Sequence, residues 1–101
     1  MALRAAFIFL APGSDPSDHR KTVVTPEVEL TAVAVEDYQG AVAACQRLLD
    51  EGIVAFELCG GFGHLGVARV AEAVGDRAAV GVVRFDHHPG LDFKSGDQLF
   101  Q

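Results

Sequence analysis

Apolar residues gather into four runs, and the stretches between them carry apolar positions at helical rather than alternating spacing. The first run, "LRAAFIFLAP" from Leu3 to Pro12, is continuous, rich in β-formers and closed by Pro-Gly, which predicts a strand buried on both faces. "VELTAVAV" (Val28 to Val35), "IVAFELC" (Ile53 to Cys59) and "AAVGVVRFD" (Ala78 to Asp86) predict three more strands. In "DYQGAVAACQRLLDEG", Val42, Cys45, Leu48 and Leu49 fall on one side of a helix and Gln39, Gln46, Arg47 and Asp50 on the other, with Gly52 as the terminating glycine. A second amphipathic helix is predicted from about His64 to Val74, burying Val67, Val70, Ala71 and Val74 and stopping at Gly75. The polar stretch "GSDPSDHRKTVVTPE" offers Ser14 or Asp15 as an N-cap and Pro16 at a first helical position, predicting a short helix to Val23 or Val24 that Pro26 ends.

Strand and helix in alternation imply right-handed crossovers and a parallel sheet. The expected fold is a small open α/β domain: a mainly parallel four-stranded sheet (β-α-β-α-β-α-β) with helices packed on it, one domain over residues 1–101 with an irregular tail from 87 to 101. So few helices leave part of a sheet face uncovered. Either the tail residues Leu91, Phe93, Leu99 and Phe100 cover it or a second subunit does, and at least a homodimer is expected.

A chain of 101 residues with 50% hydrophobic and 22% charged residues can bury a core without a disulfide or a structural metal. Its net charge of −6 and the lack of any Lys/Arg cluster exclude the usual electrostatic footprint of a nucleic-acid binder, and anionic membranes are equally poor partners. Cys45 and Cys59 lack the C-x-x-C spacing of a redox or zinc site and read as reduced thiols of a cytoplasmic protein. The opening "MALRAAFIFLAPG" reads as a buried strand rather than a signal peptide, because it has one positive charge and no A-x-A site.

Chemistry is expected beyond the carboxyl ends of the strands, where loops and helix N-termini converge. Three such ends are visible, at Pro12 to Asp15, Glu57 to His64, and Arg84 to His88. The second contains Gly61, Gly63 and Gly66 in G-x-G-x-x-G spacing, with Asp86 twenty residues beyond Gly66 where a dinucleotide fold places its ribose acid. The turn follows the third predicted strand instead of the first, and a single strand remains after it, so the second nucleotide half is missing. Two readings stay open: a structural reversal that needs glycines for positive φ, or a seat for a smaller phosphate or carboxylate. Glu57 and Arg84, both just inside strand ends, read as an internal ion pair or as an anchor for a ligand anion with its orienting carboxylate. Cys59 before a helix N-terminus, with His64 or Glu57 as acid or base, makes up the enzymatic alternative, although a buried inert thiol is the simpler state of Cys59. His64, His87, His88 and Asp86 lack metal-site spacing, so no metal and no other cofactor is expected, and His19 reads as a surface residue.

Nearly the whole chain resembles a family of short bacterial proteins of about 100 residues known as a domain of unknown function. The resemblance is carried by "RAAFIFLAPG", "VEL", "ELCGGFGHLGVARVAEAVG", "VGVVRFD", "HPGL" and "SGD". It implies a stand-alone protein of this length and brings no activity or catalytic residue with it. The residues themselves point to binding of a small anion by Gly60, Gly61, Gly63, His64, Arg84 and Asp86. The alternatives are a small enzyme using Glu57, Cys59 or His64 at the same crevice, and an oligomeric structural or interaction module without a ligand.

Overall fold

A computed structural model describes residues 2–85 and 87–101. Five strands form one sheet: β1 (Leu3–Leu10), β2 (Arg20–Val24), β3 (Val28–Val35), β4 (Ala55–Leu58) and β5 (Ala79–Val82), in the order β2-β3-β1-β4-β5. β3, β1, β4 and β5 run parallel, and β2 lies antiparallel on the edge beside β3. Two helices, α1 (Tyr38–Asp50) and α2 (His64–Val74), supply the crossovers from β3 to β4 and from β4 to β5.

The sheet thus has five strands rather than four, and the polar stretch after β1 is not a helix. Asp15 closes a turn instead: its side chain accepts from Ser17 N–H at 2.8 Å and its carbonyl from Asp18 N–H and His19 N–H. "RKTVV" then runs back as β2, joined to β3 through a tight turn in which Thr25 Oγ1 accepts from Val28 N–H at 3.0 Å. Long-range partners decide between the two conformations. The Thr22 and Thr31 hydroxyls meet at 2.8 Å across the strands, and Arg20 donates to both carboxylate oxygens of Glu51 at 3.2 and 3.0 Å, tying β2 to the end of α1.

Both crossovers step the same way across the sheet, so right-handedness lays both helices on one face. That face holds the core. Ala6 and Ile8 of β1, Val33 and Val35 of β3, and Phe56 and Leu58 of β4 pack under Ala41, Ala44, Cys45 and Leu48 of α1 and Val70 and Val74 of α2. On α1 Val42 is half-buried; on α2 Val67 is half-buried and Ala71 exposed, so α2 turns a narrower stripe inward than its sequence suggests, with Gly66 completing it. Helix ends follow the local rules: Asp37 caps α1 by accepting from Gly40 N–H at 2.8 Å, and Gly52 and Gly75 take φ of +93° and +60° just past the two helices.

Among the described residues the opposite face carries no helix. Along it lie Leu3, Ala5, Phe7 and Phe9 of β1, Val28, Leu30, Ala32 and Ala34 of β3, Lys21 and Val23 of β2, Ala55 and Glu57 of β4, and Ala79 and Gly81 of β5. The tail does not serve as its cover: Phe100 is buried and Leu91 half-buried in the helix-side core, while Phe93 and Leu99 are exposed. Because the core lies on one side, Ile8→Ala should cost about 3 kcal/mol in urea unfolding, whereas Leu65→Ala, at a position half exposed on α2, should stay within about 0.5 kcal/mol.

Candidate functional site

β4 delivers the chain to the glycine turn. Cys59 N–H donates to the Ile8 carbonyl as the last rung toward β1, Phe62 N–H turns back to the Cys59 carbonyl, and Gly63 becomes the N-cap of α2. A glycine cap has no side chain to accept from the free N–H groups of the first turn. The C-terminal tail supplies the missing acceptor: Asp97 Oδ2 accepts from Leu65 N–H at 3.1 Å and Asp97 Oδ1 from Gly66 N–H at 3.3 Å. Tyr38, at the start of α1, completes the arrangement. Its hydroxyl accepts from Gly63 N–H at 2.9 Å and donates to Asp97 Oδ1 at 2.8 Å.

The anion suited to this helix N-terminus is therefore the chain's own carboxylate. The glycine spacing follows from the same contacts. A Cβ on Gly63 would overlap the Asp97 carboxyl, and one on Gly66 would overlap the Tyr38 ring. Neither residue has positive φ, so close approach and not backbone handedness is the reason for glycine here. The Tyr38 ring stacks on Phe62 with centroids 5.5 Å apart and meets Phe100 at 6.2 Å, so the polar knot is walled by aromatic rings.

Electrostatics match this geometry. Burial raises the Asp97 carboxyl, but the donors from Leu65, Tyr38 and Gly66 outweigh it and hold the group below its usual range. Burial, with the neighbouring Asp97 acting in the same direction, pushes the Tyr38 hydroxyl up to about 12. Burial likewise takes the Cys45 thiol up to about 12, which makes it an inert core residue.

The residues singled out in the sequence are only partly brought together. Gly60, Gly61 and Gly63 are buried beneath neighbouring side chains, Gly60 close against the Phe85 ring. His64 and Arg84 do converge: Arg84 Nη2 lies 2.7 Å from His64 Nε2, which must accept because a guanidinium only donates, and Arg84 Nη1 donates to the Phe85 carbonyl at 2.7 Å. Glu57 stands exposed on the helix-free face and forms no ion pair with Arg84; among the described residues the ion pairs are Arg20–Glu51 and Arg77–Asp50. Strand alternation explains the separation, since Glu57 points opposite to Phe56 and Leu58, which enter the core. The half-buried Cys59 sulfur accepts from Gly61 N–H at 3.4 Å, a local contact within the turn. Asp86 lies outside the described residues.

Tyr38 and Asp97 escape sequence reading because their partners lie 25 to 59 positions away. The one local clue is "SGDQ", where Ser95 and Gln98 form a reciprocal capping box that sets the tail turn holding Asp97. Beside the tail runs a cleft of about 530 Å³ lined by Leu10, Pro12, Leu91, Lys94, Leu99 and Phe100. Among the described residues no cluster of three or more His, Cys, Asp or Glu could hold a metal ion, and no helix is long and apolar enough to cross a membrane.

Asp97→Ala should destabilise the fold by about 1 to 2 kcal/mol, the cost of removing a helix cap that also bonds a tyrosine. Because the folded carboxyl titrates below its ordinary 3.8, its stabilisation is present above that value and lost as pH falls through the folded pKa. Thermal melts from about pH 5 downward should show that loss in the wild type and a shallower one in Asp97→Asn; equal slopes would contradict the assignment.

No curated protein and no solved structure matches the chain. A family model described as "Family of unknown function (DUF6506)" matches residues 3–98, nearly the full length, and the chain belongs to that family.

Proposed function

We propose that the protein is an oligomeric structural module that acts through the helix-free face of its sheet, closed by a second copy. The carrying observation is the make-up of that face. Leu3 and Val23 are 48% and 62% exposed, Phe7, Phe9 and Leu30 are half-buried, and among the described residues no helix packs over them, the loop from Ala11 to His19 reaching only the Phe9 end of the face. Strands about 4.8 Å apart and up to about 25 Å long make this a surface of several hundred Å² in projection, the scale at which an apolar patch marks an association site. The glycine turn offers less to a ligand, because its helix N–H groups already bind Asp97.

The contact of Arg84 with His64 favours a second reading, a small phosphate or carboxylate bound where these two exposed side chains meet beside the glycine turn. An enzymatic version of it keeps Cys59 and His64, while Glu57 lies on the other side of the sheet.

Sedimentation equilibrium at micromolar concentration should give at least twice 10.7 kDa, and Phe7→Asp should give 10.7 kDa with unchanged far-ultraviolet dichroism. A wild-type mass of 10.7 kDa would remove the oligomer reading. For the ligand reading, inorganic phosphate should raise the melting temperature of the wild type but not of Arg84→Ala; no shift in either protein discards it.

A further inference from the structure

The helix-free face carries a charge pattern that selects one way for two copies to meet. This inference rests on the oligomer reading above and adds the register of the contact. Pairing across the sheet aligns Lys21 of β2, Ala32 of β3, Phe7 of β1, Glu57 of β4 and Gly81 of β5 in a single transverse row. All five belong to the helix-free face, and among the described residues Lys21 and Glu57 are the only charged strand residues on it. Both are exposed, and among the described residues neither belongs to an ion pair. The two are separated by three strand spacings, about 14 Å, and lie at equal distances on either side of the boundary between β3 and β1.

Two sheets that pack face to face with aligned strands can be related by a two-fold axis in the interface running either along the strands or across them. With the axis across the strands, β2 always faces β2 and β4 always faces β4, so Lys21 can never reach Glu57. With the axis along the strands between β3 and β1, β2 of each copy lies over β4 of the other. Lys21 then faces the partner's Glu57 twice, by symmetry. The apolar residues fit the same arrangement at the centre of the row, where the half-buried Phe7 faces the half-buried Ala32, large against small. Sheets about 10 Å apart leave room for a lysine and a glutamate to meet at the rim of such a contact.

We infer that two copies pack their helix-free faces about a two-fold axis along the strands between β1 and β3, with Lys21 of each paired to Glu57 of the other. These two residues then set self-recognition, because an ion pair at an interface rim fixes register and rejects wrong pairings more than it adds affinity.

Charge reversal tests the pairing. Lys21→Glu and Glu57→Lys each set like charges opposite one another at two symmetric places and should each weaken the dimer at least tenfold in Kd by sedimentation equilibrium. The double variant restores opposite charges and should recover to within about threefold of the wild type. A carbodiimide zero-length cross-link should join Lys21 to Glu57 between chains labelled with different nitrogen isotopes, since about 14 Å is too far to bridge within one chain. Far-ultraviolet dichroism confirms that each variant folds. A wild-type dimer whose single variants bind equally well, or whose double variant fails to recover, overturns the register and leaves the oligomer reading in place. A monomeric wild type overturns both.

Discussion

The carboxylate of Asp97 at the start of α2 is the contact through which the separate parts of this molecule are joined. It accepts from two N–H groups of the helix and from the Tyr38 hydroxyl, which in turn accepts from Gly63 at the helix cap. Three segments distant in sequence, the start of α1, the glycine turn that opens α2, and the tail, thereby share one set of hydrogen bonds. A buried helix end without acceptors would cost several unsatisfied donors, so the tail is as much a part of α2 as its own first turn. The small residues follow from this need. Gly63 and Gly66 let the carboxyl and the ring approach the backbone, and Gly96 passes over the Gly61 carbonyl where any Cβ would collide.

A second constraint acts on the sheet. Two right-handed crossovers stepping in one direction cover one face and leave the other to the solvent or to another protein surface. The strands of the uncovered face nonetheless carry Leu, Val, Phe and Ala at almost every outward position, with one lysine and one glutamate in a shared row. Water is a poor neighbour for such a surface, and alternation along a strand leaves those side chains no other direction to take. The apolar character on both sides of β1, expected of a doubly covered strand, meets helices on one side only among the described residues.

The glycine turn shows how a ligand-binding signature arises from internal chemistry. G-x-G-x-x-G after a strand and before a helix asks for an anion at close range, and this chain provides one from its own tail. What remains at that edge is the contact of Arg84 with His64, on the outer side of the turn.

Local rules in the sequence determined β1, β3, both helices and the glycines that end them, because apolar period, an Asp N-cap and positive-φ glycines act within a few residues. They could not decide the conformation of "RKTVV", which is a strand only because β3 and Glu51 receive it, nor which face each strand end turns toward, which parted Glu57 from Arg84. The acceptor for α2 was equally out of reach, since a carboxylate 32 residues away carries no mark of its partner until the tail folds over the turn. Periodicity and capping are properties of neighbouring residues, whereas strand pairing, the sharing of one helix face and the occupation of a helix end are settled only when distant segments compete for the same space and the same hydrogen bonds.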